Sequence, residues 1–165
     1  MKAPLFVVVA VLGAALLVVP ALGLGSGDGR KVLEARVLAG LPQEYTAPVA
    51  GAAGAIRTVP SAGAAWSIGD AEADLRSDGR LEIDVEGLIV TVRGNNPLAQ
   101  FGATVSCQTI VDGLPAVTNV RTALFDANLA GDAQTEQNVD LPTPCLAPIV
   151  FVTTPGGSWI ATTGR

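Results

Sequence analysis

Between Asp70 and Glu86 the chain alternates so strictly that only one local structure fits it. Ala71, Ala73 and Leu75 interleave with Asp70, Glu72, Asp74 and Arg76, and Leu81, Ile83 and Val85 interleave with Arg80, Glu82, Asp84 and Glu86. A two-residue repeat belongs to a strand with one buried face, because successive side chains leave a strand on opposite sides. Ser77-Asp78-Gly79 joins the two runs, and burial decides how it turns. A two-residue Asp-Gly loop would set Leu75 against Glu82 on one face. A three-residue loop, with Gly79 in the left-handed conformation, sets Leu75 against Leu81 and Arg76 against Arg80 and keeps each face uniform. A type I turn closed by a G1 bulge is therefore predicted.

Eleven prolines and nineteen glycines divide the rest into short apolar runs, which favours many short strands over long helices. Val32 to Leu38 reads as a first strand, although its Ala and Leu also permit a helical turn. Residues 40–63 are rich in small side chains and broken by Pro42, Pro48 and Pro60. They read as a loop-rich connection with one edge strand near Ala55 to Val59, able to bury little and so a candidate mobile segment. Further strands are expected over Leu88 to Arg93, Phe101 to Cys107, Val117 to Phe125 and Ala133 to Leu141. A C-terminal hairpin is expected from Ile149 to Thr153 and Trp159 to Thr163, around Pro155-Gly156-Gly157. In the Phe101 strand, Phe101, Ala103, Val105 and Cys107 share one face and Thr104 and Ser106 the other. About seven to nine strands with regular turns predict an all-β fold, an antiparallel β-sandwich, with a small closed barrel as the alternative.

The N-terminus carries an address. Lys2 precedes an apolar run from Leu5 to Val19, and Pro20 leads to Ala21-Leu22-Gly23. About 15 apolar residues are short for a membrane span, and no basic stop-transfer flank follows. Ala21 and Gly23 occupy the small-residue positions of a signal-peptidase site, so residues 1–23 read as a cleaved signal peptide. Residues 24–63 then form a flexible, loop-rich N-terminal segment with one or two edge strands, and 64–165 the sandwich core. The expected location is secreted or held in the cell envelope, with no transmembrane anchor in the mature chain.

Composition removes several function classes. The chain has no histidine, which excludes Ser-His-Asp and Cys-His catalysis, His-ligated zinc and the usual pH switch. Net charge is −5, and Lys31 is the one lysine left after leader removal. Nucleic-acid binding needs clustered cations, and here the arginines are scattered among carboxylates. Cys107 and Cys145 suit an oxidising compartment. If they pair, closing a loop of about 39 residues stabilises the fold by about 4 kcal/mol in the chain-entropy model. Two buried thiols are the other reading.

The acidic hairpin is the most specific surface feature. In the derived register Asp74 faces Glu82, Glu72 faces Asp84, and Asp70 faces Glu86. Opposed like charges cost a sheet about a few tenths of a kcal/mol each or more, so compensation is expected. Arg76 and Arg80 are in diagonal reach of Glu82 and Asp74. Asp70, Glu72, Asp84 and Glu86 remain as a candidate hard-cation set, with Ca²⁺ taking oxygens from several of them; a solvated acidic face is the plainer account. No other cofactor is expected. A carboxylate hydrolase would need two acids across a cleft together with aromatic platforms. The amphipathic aromatics are Tyr45, Trp66 and Trp159; Trp159 reads as core, and Trp66 and Tyr45 as candidates for a sugar-binding patch.

The segments Ala73 to Leu88, Asn96-Pro97 to Cys107, and Leu141-Pro142 through Cys145-Leu146-Ala147-Pro148-Ile149-Val150-Phe151-Val152 to Trp159 resemble a family of secreted bacterial β-rich proteins. The resemblance implies a β-rich extracellular domain with paired cysteines and supplies no activity. The hairpin ending in Val85-Glu86-Gly87-Leu88 is also similar to part of a chordin-type (CHRD) domain. That family carries histidines further along, and this chain has none. The resulting expectation is a non-catalytic structural or binding module whose partner is a cell-surface glycan or protein. A Ca²⁺-dependent adhesion or carbohydrate-binding domain is the alternative, and a carboxylate hydrolase the third reading.

Overall fold

The computed structural model describes residues 29–50 and 54–164, so the leader with Ala21 and Gly23 lies outside the described residues. Strands are β1 (Lys31–Ala35), β2 (Ala39–Gly40), β3 (Trp66–Ser67), β4 (Asp70–Arg76), β5 (Arg80–Glu86), β6 (Ile89–Val90), β7 (Gln100–Val111), β8 (Leu114–Arg121), β9 (Phe125–Asp126), β10 (Ala133–Asn138), β11 (Leu146–Thr153) and β12 (Trp159–Thr162). One sheet has the order β1-β4-β5-β10; the other runs β2-β12-β11-β7-β8, with β9 also on β7. The short β3–β6 pair forms a third, small sheet. The sheets are not closed into a barrel, so the architecture is the sandwich and not its alternative.

The hairpin forms as its alternation dictates. Leu75 pairs with Leu81, Asp74 with Glu82, Glu72 with Asp84 and Asp70 with Glu86. Gly79 takes φ +92° and its N–H donates to the Arg76 carbonyl at 3.0 Å. A Cβ on Gly79 would also lie 2.0 Å from the Val139 carbonyl oxygen. Gly79→Ala therefore meets both a left-handed backbone and a backbone clash, and a loss of at least about 2 kcal/mol in urea unfolding is expected.

The apolar sides of the sheets form one core. Ala71, Ala73, Leu75, Leu81, Ile83 and Val85 come from the first sheet, and Phe101, Ala103, Val105, Cys107, Val150 and Val152 from the second. Trp66, Phe101 and Phe125 meet edge to face at one end, with centroids 6.2 and 6.4 Å apart. Trp66 is only 6% exposed, which corrects its expected place on an accessible loop: its backbone pairs with Val90, and its ring has Phe101 to pack on. Because β1 and β2 join different sheets, residues on both sides of position 63 share this core.

Several strand limits differ from the expectation. Leu88 to Arg93 yields only Ile89–Val90 before a turn; Val90 N–H donates to the Asn95 carbonyl, closing the chain back on itself. Val117 to Phe125 is divided between β8 and β9. Thr122 interrupts the run, because its hydroxyl accepts the Ala103 N–H and so replaces a regular rung. Residues 55–59 make no edge strand; Ile56 and Val59 form an isolated bridge around Arg57 and Thr58.

The described part of 40–63 is a strap over the outer side of the second sheet. Leu41, Thr46, Val59, Ser61 and Ala62 are buried in it. Small side chains limit what it can bury by area, so its fastenings are polar and largely backbone. Ala62 N–H donates to the Trp159 carbonyl, Trp159 N–H to the Pro60 carbonyl, and the Trp159 indole N–H to the Gly54 carbonyl at 2.9 Å. Arg57 supplies a less ordinary fastening. Opposite Cys107, β11 bulges at Ala147 and Pro148, between the Leu146–Gln108 and Ile149–Ser106 pairs. The Arg57 guanidinium donates into this gap, to the Ser106 carbonyl at 3.0 Å and the Ala147 carbonyl at 2.7 Å. Asn119 returns its amide to the Arg57 carbonyl and the Thr58 hydroxyl, both at 2.9 Å. Under this cover Thr104 and Ser106, on the polar side of β7, are buried as completely as their apolar neighbours.

Cys107 and Cys145 are joined by a disulfide. Cys107 sits on the core side of β7, and Cys145 lies just before β11, in the crossover from the first sheet to the second.

Candidate functional site: an acidic sheet face

The outward face of the first sheet carries one carboxylate from each strand in a single row. Glu34 pairs with Asp74, Asp74 with Glu82, and Glu82 with Glu136. A second row runs Glu72, Asp84 and Gln134, and a third holds Asp70 and Glu86. The alternation that buries Leu75 and Leu81 forces their neighbours onto this common face. Together they border a shallow, open trough of about 540 Å³ lined by Glu72, Asp74, Glu82, Asp84, Gln134 and Glu136.

Three cations brace the rows. Lys31 lies 3.0 Å from Asp74 and 3.4 Å from Glu34; Arg36 bridges Glu34 and Glu72; Arg80 reaches Glu82 at 2.8 Å and Glu136 at 3.1 Å. Neither expected diagonal forms: Arg76 donates instead to the Gly29 carbonyl, and Arg80 pairs with Glu82 on its own strand and with Glu136. The place beside Asp74 expected for Arg80 is taken by Lys31 of β1. The electrostatics follow the contacts. Hydrogen bonds from Arg36 and then Lys31 hold the Glu34 carboxyl below its ordinary range, and the bond to Asp74 raises the Lys31 ammonium. These groups are exposed, and exposed pairs contribute little to stability.

No ion pair reaches Asp70, Asp84 or Glu86 among the described residues. Asp70 accepts the N–H of the next residue, and Asp84 takes a long 3.4 Å contact from Gln134. The four proposed cation ligands are thus cross-strand pairs laid along a sheet. Among the described residues, no group of three or more His, Cys, Asp or Glu is gathered as a metal ion would require. Asp132, at the next concavity along, is engaged by the Asn128 amide and the Gly87 N–H, which hold its carboxyl below the usual range. That arrangement clips a loop to the end of β5.

The structure does not unite the aromatic candidates with the acids. Trp66 and Trp159 are in the core. Tyr45 is 41% exposed but sits in the strap, in the helical turn Gln43–Tyr45, on the second sheet's side of the sandwich. Sequence reasoning missed Glu34, Lys31, Arg36 and Glu136 as members of this face. Their own alternation offered a weak signal; their pairing with the hairpin is long-range and has no local mark. Comparison of the chain with protein-family models, with curated proteins and with solved structures found no match.

Proposed function

We propose that the chain is exported and serves as a non-catalytic structural or binding module outside the cytoplasm, in the medium or the cell envelope. One observation carries the reading: among the described residues the acid-bearing face is a braced, solvated sheet surface with no aromatic side chain lining it, while both tryptophans are core. A sugar cleft or carboxylate hydrolase needs an acid pair and a stacking platform in one recess. The disulfide suits an oxidising compartment, and the leader and the likeness to secreted bacterial β-rich proteins point the same way. Among the described residues no helix is long and apolar enough to cross a membrane. A cell-surface protein or glycan is the partner class to test.

The acidic face itself separates this reading from the Ca²⁺-dependent one. On a solvated face, Asp84→Asn relieves the repulsion from Glu72, and a gain of about a few tenths of a kcal/mol is expected. The gain should be the same with Ca²⁺ and with a chelator. A glycan array and a surface-protein pull-down with the exported protein should show binding independent of Ca²⁺ and no substrate turnover. A Ca²⁺-dependent rise in thermal midpoint that Asp84→Asn abolishes would transfer the function to the cation-binding alternative.

A further inference from the structure

We propose that two copies of this chain join edge to edge through β8, antiparallel about a twofold axis near Val117. Among the described residues β8 pairs only with β7, which leaves its other edge open there. Which backbone groups lie on that edge follows from the hairpin. Asp112 and Gly113 both have positive φ, 52° and 79°, the type I′ turn whose flanking residues Val111 and Leu114 exchange hydrogen bonds. Even-numbered residues of β8 therefore face β7, and the Thr122 N–H donating to the Ala103 carbonyl at 3.0 Å continues that set. Val117, Asn119 and Arg121 point their N–H and C=O groups outward. Pro115, which lacks a donor, falls in the outward set and costs the existing ladder nothing; in the proposed pairing it stands opposite Asn119 of the other copy, and that rung is made by the Asn119 N–H to the Pro115 carbonyl alone.

Charge selects a second copy as the occupant. The other long edges carry ions: Lys31 and Glu34 on β1, and Glu136 on β10. β8, of sequence LPAVTNVR, has no carboxylate and no lysine, and Arg121 is its only charge. In a chain of net charge −5, two copies repel one another least where carboxylates are missing. The hairpin's own carboxylate, Asp112, stands at the opposite end from Arg121. Antiparallel pairing brings Arg121 of each copy toward Asp112 of the other, whereas parallel pairing would set like against like. Such a self-complementary edge is what a twofold contact requires. Ile110 and Val117 are exposed on one face of the same hairpin and Val111 and Leu114 on the other, and a second copy beside the edge gives both apolar pairs a neighbour.

Sedimentation velocity on protein expressed from the full-length gene should resolve a dimer that dissociates on dilution. Val117→Lys sets two ammonium groups across the axis and should weaken the dimer at least about tenfold, with an unchanged far-ultraviolet spectrum because the side chain is exposed. Asp112→Asn keeps the turn and should weaken it less, with the difference shrinking as salt is added. Val117→Cys should give a covalent dimer on oxidation, which keeps the test alive if the lysine variant folds poorly. A monomer at every concentration, a dimer unaffected by Val117→Lys, or a Val117→Cys protein that does not cross-link overturns the proposal.

Discussion

Replacing Cys107 and Cys145 together by alanine is expected to lower stability by about 4 kcal/mol, as the loss of a loop of about 39 residues from the unfolded ensemble. The bridge ties β7 to the crossover that carries the chain from the first sheet to the second. Cut, it frees an unfolded segment containing β8, β9 and β10 to expand. The urea slope should therefore rise together with the fall in midpoint, since a larger surface is exposed on unfolding. Reduction of the wild-type protein separates the tether from the side chains. Reduced wild type should keep the packing of Cys107 and lose only the constraint, so it should be a little more stable than the alanine pair. A double variant whose midpoint and slope match the oxidised protein would show that the bridge does not restrain the unfolded chain.

Trp159→Ala should cost about 3–5 kcal/mol, the range for removing a fully buried large aromatic side chain. The ring is 1% exposed and lies 6.5 Å from Phe151 between β12 and the strap. Its indole N–H is also the fastening for the Gly54 carbonyl, 105 residues away in sequence. Trp159→Phe divides the effect. It keeps most of the apolar burial and leaves the carbonyl unpaired, for a loss of about 1–3 kcal/mol. Hydrogen exchange adds a local readout: in Trp159→Phe the Ala62 amide should lose protection before those of β7 and β11 do. If both variants lose the same stability, packing is not the larger part and this account of the strap is wrong.

What could be read in advance, and what could not, divides along the range of the interactions. The β4–β5 register follows from residues within a few positions of one another: two alternating runs and one glycine that must turn left. Paired cysteines and the sandwich also followed from sequence. The strap did not, because bulk is the usual sign of burial and its anchors are carbonyls, a guanidinium and an indole N–H. Thr104 and Ser106 carry no local mark of burial for the same reason, since a polar side opposite Phe101, Val105 and Cys107 ordinarily faces water and here faces the strap. Trp66 reads as a candidate for an accessible patch, whereas it is buried against Phe101, which only the folded chain brings near. In the acidic face, the hairpin's own opposed carboxylates were legible. The bracing by Lys31 and Arg36 was not, because nothing local says that β1 lies beside β4.

The strap also fixes an order of events. β12 is held between β11 and β2, and residues 60–62 bond directly to Trp159. β2 and the strap therefore have no seat until the ribosome has made residue 159 and those around it, although β1 can already pair with β4, and contacts so distant in sequence are slow to form. A nascent chain of this kind stays unfinished throughout synthesis. That is a handicap for a protein that must fold where it is made, and none for one drawn through a narrow translocation channel as an open thread.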